Sequence, residues 1–335
     1  MAELSANHNG SLARALALVS AAARAGAHAV KLQTWEPGTM VLDPSIVLRE
    51  GPWVGRNLAQ LYEQAHTPWQ WHRPIFEHAR MLGIECFSSA FDLPSLQLLE
   101  SLDCPRYKVA SFEIVDLPLI RALAATKKPL IISTGMATKE DISFAVDAAR
   151  GAGARDLTLM KCTSAYPADG SSANLSTMRT MEAEWSVKVG LSDHTPGIGV
   201  ALAAAALGAG MIEKHFTLSR ADGGLDAAFS IEPDELALLV REASGVEKAL
   251  GLGYQHGPTA HEMPQLELRR SLYFAKDMPA GAYIGEAGIR SARPARGISP
   301  RFARRVLGAR LLVGVHRGQP VTWEVMERRQ PAGGE

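Results

Sequence analysis

Gly190-Leu191-Ser192-Asp193-His194-Thr195 and Glu213-Lys214-His215-Phe216-Thr217 are the stretches on which the fold turns. In each, a short apolar run leads to a histidine, and the Ala-, Val- and Leu-rich residues between them suit one helix. Strand, helix and strand in that order make a parallel crossover, which places both histidines at the C-terminal ends of neighbouring strands. Working outward, β-rich runs recur at 2–6, 29–34, 85–90, 106–111, 130–135, 157–164, 187–194 and 211–217, each followed by a turn signal and a helical pattern. In the first helix Asn9-Gly10-Ser11 supplies the turn and cap, Leu12, Leu16, Val19 and Ala23 share a face, and Gly26 is the stop. In the last, Pro233 opens the helix, Leu236, Leu239, Val240 and Ala243 form the stripe, and Gly251 ends it. Eight such units predict a closed (β/α)8 barrel. A doubly wound open sheet is the rival, but no glycine fingerprint follows the first run to support it.

Composition sets outer limits. With 335 residues, 47% of them hydrophobic, the chain can bury one large core and a small one. Its 35 Lys and Arg equal its 35 Asp and Glu, so no global field favours nucleic acid or a membrane surface. Three cysteines (Cys86, Cys104, Cys162) without metal-type spacing read as reduced thiols, and no signal or spanning pattern is present. The expectation is a soluble, cytoplasmic protein. The division expected is a barrel over 1–252, a linker over 253–268 and a small, mostly β domain over 269–335, with a short helical patch at 300–306. A core that small is marginal alone. The segment from Trp35 to Pro68 exceeds what a barrel connection needs and carries Trp35, Trp53 and Tyr62, as a lid or a dimer contact would.

Strand parity sorts the polar residues. With Val189, Leu191, Ile212 and Phe216 facing helices, Gly190, Ser192, His194, Glu213, His215 and Thr217 face the interior. By the same count Lys31, Gln33 and Lys108 point inward, followed by Ser111 and Glu113, while Lys161 and Lys214 have the structural parity. Two histidines on adjacent strands suit one metal ion. Two interior lysines suggest a bound phosphate or carboxylate, the alternative being ion pairs to Glu3 or Glu113. Hydroxyls at strand ends (Ser88, Ser89, Ser111, Ser133, Thr134, Thr163, Ser164, Ser192) would add donors. Asp193 is expected to point outward, and Asp222 and Asp226 lie on a loop where capping is the plain reading.

Ala2-Glu3-Leu4-Ser5-Ala6-Asn7-His8-Asn9-Gly10, Tyr107-Lys108-Val109-Ala110-Ser111-Phe112-Glu113, Ser133-Thr134-Gly135-Met136 and the two histidine stretches closely resemble the sialic acid synthase family over essentially the whole chain. The C-terminal segment resembles the family's antifreeze-like (SAF) domain, with Arg293-Pro294 in place of its Arg-Pro. Ala110-Ser111-Phe112-Glu113 and His66-Thr67-Pro68-Trp69 are similar to the family's pseudaminic acid synthase branch. The resemblance implies condensation of phosphoenolpyruvate with an acetamido sugar aldehyde, giving a nonulosonic acid and phosphate. It implies manganese or magnesium, or cobalt, on His194 and His215. It implies catalytic roles for Glu3, Lys31, Lys108, Glu113 and Asp226, and substrate contacts from Ser89, Ser111, Ser133, Ser164, Tyr166 and Ser192. A domain-swapped homodimer is also implied, in which Arg293 covers the neighbour's sugar site. Only Met1 precedes Ala2-Glu3, where the family carries an apolar run, so a short first strand is expected. The sugar expected is 2,4-diacetamido-2,4,6-trideoxy-L-altrose, a mannosamine-type sugar being the alternative. Outside the family reading stand a Schiff-base aldolase using Lys31 or Lys108 and a non-enzymatic binding module.

Overall fold

The computed structural model describes residues 1–251, 253 and 256–327. Eight parallel strands close into a barrel in sequence order: β1 (Ala2–Glu3), β2 (Ala29–Thr34), β3 (Glu85–Ala90), β4 (Tyr107–Val109), β5 (Leu130–Ser133), β6 (Leu157–Cys162), β7 (Lys188–Asp193) and β8 (Ile212–His215). Closure is made by β1, which pairs with both β2 and β8. The (β/α)8 expectation holds, while six of the eight strands are shorter than their β-rich runs. Where the runs overshoot, 3-10 turns take over: Ser5–His8 follows β1, and Ser111–Glu113 follows β4. Such turns lift side chains off the strand onto the rim of the mouth.

Outward strand residues such as Val30, Leu32, Tyr107, Val109, Ile132, Leu159 and Phe216 join Leu18, Ile75, Leu99 and Leu123 from the helices in one buried core. The first helix, Leu12–Arg24, is capped as its sequence indicates, Ser11 accepting from the Arg14 amide at 3.3 Å. Its buried face is rotated from the one expected: Ala15, Leu18, Val19, Ala21 and Ala22 are buried, whereas Leu12, Leu16 and Ala23 sit at the margin. Small alanines let the helix lie close against the strands, an effect that side-chain size rather than periodicity governs. The last barrel helix, Pro233–Leu250, buries Leu236 and Leu239 and ends at Gly251 with φ 65°.

Inside the barrel the register sets polar and apolar side chains side by side. Lys31 sits opposite Phe87, Lys108 opposite Ile131, and Ser133 opposite Met160. Phe87, Ile131 and Met160 are buried and share the barrel interior with these polar side chains. Gly190 belongs to this packing. A Cβ there would meet the Met211 carbonyl oxygen at 2.6 Å, so the β7–β8 seam closes only around a hydrogen atom.

The residues divide into two compact units, Met1–Leu252 and Gly253–Glu335. The second carries β9 (Ser271–Phe274) antiparallel to β10 (Ile289–Ala292) and has its own core of Leu272, Phe274, Met278, Ile284, Val306, Leu311 and Val321. The helical patch is present as Pro300–Phe302 and Ala303–Val306. The expected domain bounds at 252 and 335 fall on residues outside those described. Gly190→Ala is predicted to destabilise the barrel by about 1–3 kcal/mol, the range for overpacking a tight interior. Denaturant unfolding that matches wild type would contradict the β7–β8 packing.

Candidate active site

Strand pairing assembles the mouth before any side chain is considered. Glu3 lies level with Lys31 on one side and His215 on the other, Ser89 with Lys108, and Ser192 with Glu213. Four buried charges meet there. Lys31 Nζ pairs with Glu3, which also accepts from the Ser5 amide at 2.6 Å, and donates to Ser89 Oγ at 3.1 Å. Lys108 Nζ lies 2.5 Å from Glu213 Oε1, and Lys31 Nζ lies 3.8 Å from the same oxygen. Ser192 Oγ donates to it at 3.2 Å. Each lysine therefore meets a protein carboxylate, but the partner of Lys108 is Glu213 and not Glu113.

Burying such ions costs on the order of several kcal/mol each unless they are paired. Burial pushes the Glu213 carboxyl up, but Lys108 and Lys31 outweigh this and hold it well below the usual range. Burial also raises Glu3, more than Lys31 lowers it. Glu213 is the one member of this charged group that is not among the catalytic residues expected from the sequence. Its inward parity was visible, but its neighbours on β2 and β4 are set by closure of the barrel. Two interior polar atoms, Glu213 Oε2 and Ser133 Oγ, are buried without a hydrogen-bond partner. That leaves donors and acceptors facing the mouth.

The imidazoles stand beside this group. The His194 and His215 ring centroids are 5.2 Å apart, inclined at 57°. His194 Nδ1 lies 2.9 Å from the Thr163 carbonyl, which accepts from it and fixes the tautomer so that Nε2 carries the lone pair. His215 Nδ1 is buried without a hydrogen-bond partner, and burial holds its pKa well below the ordinary value. Two imidazoles with free lone pairs fit a divalent ion. No group of three His, Cys, Asp or Glu gathers to hold one among the described residues, so its other ligands would be oxygens from water and substrate. Cys162, also unassigned from sequence, comes within 3.8 Å of His194 Nδ1. Burial pushes its thiol up, but His194, Ser111 and Lys108 outweigh that and bring it to about 7. Its parity matches Ser192, opposite it on β7, which is the signal that would have found it.

One side of the mouth is aromatic. Tyr166 stacks on His194 with centroids 4.4 Å apart, and Phe229 lies 5.2 Å from Tyr166 and 5.0 Å from His215. Trp53, from the long segment after β2, packs 5.8 Å from Tyr166 and donates its indole N–H to the Leu225 carbonyl at 3.1 Å. That segment thus reaches the loop after β8 and helps wall the mouth. Asp226 is buried and is gripped by the Ser5 hydroxyl, with the Ala6 amide at 3.3 Å. Asp222 stays at the surface, paired with Arg14 at 2.7 Å. Ser111 Oγ accepts from the Gly135 amide at 3.1 Å, and a Cβ on Gly135 would collide with the Ser164 hydroxyl. Glu3, Lys31, Lys108, Ser89, Ser192, His194, His215 and Tyr166 therefore share one site, with Ser111, Ser133, Ser164 and Asp226 around it. Glu113 sits on the rim turn without a bond to either lysine. Arg293 is exposed after β10 in the second unit.

A parallel barrel whose mouth couples buried lysines and serine hydroxyls to an imidazole pair has groups that would hold an anion beside a metal ion. The chain belongs to the NeuB family, whose profile matches residues 18–255, and the SAF domain profile matches residues 269–325. It is 40% identical to the pseudaminic acid synthase of Helicobacter pylori over 98% of this chain and 97% of that protein. It is 36% identical to the N,N'-diacetyllegionaminic acid synthase of Legionella pneumophila over 98% and 94%. A crystal structure of the N-acetylneuraminic acid synthetase of Leptospira borgpetersenii, in complex with citrate, is similar at TM-score 0.70 and 32% identity. That match covers 79% of this chain and 89% of that one.

Glu113 gives the mouth a pH signature. Burial, with Asp116 adding to it, raises its carboxyl to about 7, and one of its oxygens has no hydrogen-bond partner. The raised value means the folded state binds the proton more tightly than the unfolded chain. The resulting stabilisation is full below about 4.5, the unfolded value, and is lost as pH rises through about 7. Unfolding of wild type and Glu113→Gln across pH 4–8 should show wild type losing stability relative to the variant over that window. Parallel profiles would contradict a raised Glu113 carboxyl.

Proposed function

We propose that the protein condenses phosphoenolpyruvate with 2,4-diacetamido-2,4,6-trideoxy-L-altrose, giving pseudaminic acid and phosphate. The observation carrying this reading is the near-full-length match to proteins named pseudaminic acid synthase, at 40% identity. The buried charges supply its chemistry. Lys31 and Lys108, with Ser89, Ser111 and Ser133, hold the carboxylate and phosphate of phosphoenolpyruvate through charge-assisted hydrogen bonds. Carbon 3 of that substrate attacks the sugar aldehyde, water adds at carbon 2, and the C–O bond to phosphate breaks. The aldehyde oxygen becomes a hydroxyl, and carbon 2 keeps the oxygen of water.

His194 and His215 would hold a manganese or magnesium ion, or cobalt, which when bound supplies Lewis-acid polarisation of the aldehyde. Glu3, fixed by Lys31 and the Ser5 amide, and Asp226, fixed by Ser5, are placed to move protons or orient sugar hydroxyls. Glu113, raised to about 7, is poised to exchange a proton near neutrality. Tyr166 and Ser164 line the sugar side, and Ser192 steadies Glu213. The reading extends to a homodimer in which Arg293 of one copy completes the other's sugar site. It also extends to a cytoplasmic location, which the three unpaired cysteines support. Among the described residues no helix is long and apolar enough to cross a membrane.

A second reading, condensation with a mannosamine-type sugar to give legionaminic or N-acetylneuraminic acid, is favoured by the Legionella relative at 36% identity. Phosphate release with manganese separates the two. Strong preference for the diacetamido-trideoxy-altrose over N-acetylmannosamine and the legionaminic precursor is expected. Preference for either mannosamine sugar would overturn the substrate assignment. In the same assay Arg293→Ala should raise the KM for the sugar and leave that for phosphoenolpyruvate unchanged, and the reverse pattern would contradict its role.

A further inference from the structure

We propose that Lys214, which faces away from the barrel interior, is a positioning residue for the metal-binding imidazole of His194. The inference rests on the reading of His194 and His215 as a metal pair. Lys214 lies on β8 between Glu213 and His215, with the opposite parity to both, and its side chain is only 1% exposed. A buried ammonium there is costly unless the protein meets its donors. Two contacts meet it, to Asp193 at the end of β7 and to Thr195 just beyond, the two residues that flank His194. Nζ donates to Asp193 Oδ2 at 3.0 Å and to the Thr195 carbonyl at 2.5 Å. Asp193 Oδ1 in turn accepts from the Thr195 amide at 2.9 Å. The end of β7 is therefore curled around one cation, with His194 at the apex of the curl.

Further bonds fix the same residue. The His194 carbonyl accepts from the Ala168 amide at 3.0 Å, and its ring is held through Thr163. The Lys214 clamp differs from these because its anchor is the residue next to His215. One buried side chain thus refers the position of the first imidazole to the backbone of the second. An ion pair serving only stability is often replaceable by apolar groups at little cost. One that sets the spacing of two ligands is not, and outer-shell changes of that kind typically reduce metal affinity by about 10–100-fold. Burial lowers the Lys214 pKa while Asp193 opposes it, and Glu235 is the other carboxylate whose charge reaches it.

The test is direct titration of Mn2+, by calorimetry and by loss of the free-ion electron paramagnetic resonance signal, with phosphoenolpyruvate binding to metal-free protein as a control. His215→Ala should abolish Mn2+ binding. Lys214→Met and Asp193→Asn should each weaken it at least about ten-fold, with phosphoenolpyruvate binding within two-fold of wild type, and Lys214→Arg should recover part of the loss. If Lys214→Met fails to fold, by circular dichroism, Asp193→Asn and Lys214→Arg carry the comparison. Wild-type Mn2+ affinity in folded Lys214→Met or Asp193→Asn would overturn the proposal. Unchanged Mn2+ binding in His215→Ala would instead overturn the metal pair itself, and the proposal with it.

Discussion

Two ammonium groups inside a closed barrel have to be neutralised, and the way Lys31 and Lys108 are neutralised organises the rest of this molecule. Glu3 and Glu213 supply the counter-charges from β1 and β8, the strands that meet where the barrel closes. The cluster therefore exists only when closure is complete, and it ties β2 and β4 across the interior to β8. Phe87, Ile131 and Met160 are buried beside it and keep the surroundings of the charges apolar. Their mutual attraction is strong for the same reason that their desolvation is costly, which is low local polarisability. An incoming carboxylate and phosphate would take the place of the protein carboxylates and need not be met by bare cations.

The imidazole side depends on different devices. His194 leaves β7 at a bend fixed by backbone and Asp193 contacts, whereas His215 is still in β8 register with Glu3. Tyr166, Phe229 and Trp53 put an apolar wall against both rings, limiting water where polarisation of a carbonyl would matter. Trp53 arrives from the long excursion after β2, so the excess length of that connection finds a use at the mouth. The carboxylates of Asp226 and Glu3 converge on the single residue Ser5, held at φ 44° in the turn after β1. A non-glycine residue in that conformation is strained, and here the strain accompanies two contacts at the site.

Much of this was legible in the sequence because parallel barrels convert parity into position. Lys31, Lys108, Ser89, Ser192 and His215 all fall where alternation places them, and the histidine motifs located the mouth. What parity could not give was pairing across the barrel. The Lys108–Glu213 contact joins residues 105 positions apart, and nothing local distinguishes Glu213 from Glu113 as its partner. Strand ends were overrun because β-rich composition continues into the 3-10 turns at Ser5–His8 and Ser111–Glu113. The first helix showed Leu12 and Leu16 as its apolar face, whereas close packing selected the alanine face beside Leu18 and Val19. Asp226 read as a loop cap because a loop has no period, and its burial under Ser5 is a tertiary fact.

The central claim is that the buried lysine pair is the seat of phosphoenolpyruvate. Calorimetric titration of phosphoenolpyruvate into metal-free, sugar-free protein tests it most directly, comparing wild type with Lys108→Met combined with Glu213→Gln so that no charge is stranded. Saturable binding to wild type, lost or weakened at least about thirty-fold in the folded double variant, is the result predicted for removal of one buried charged contact. Equal affinity in the two proteins would contradict it.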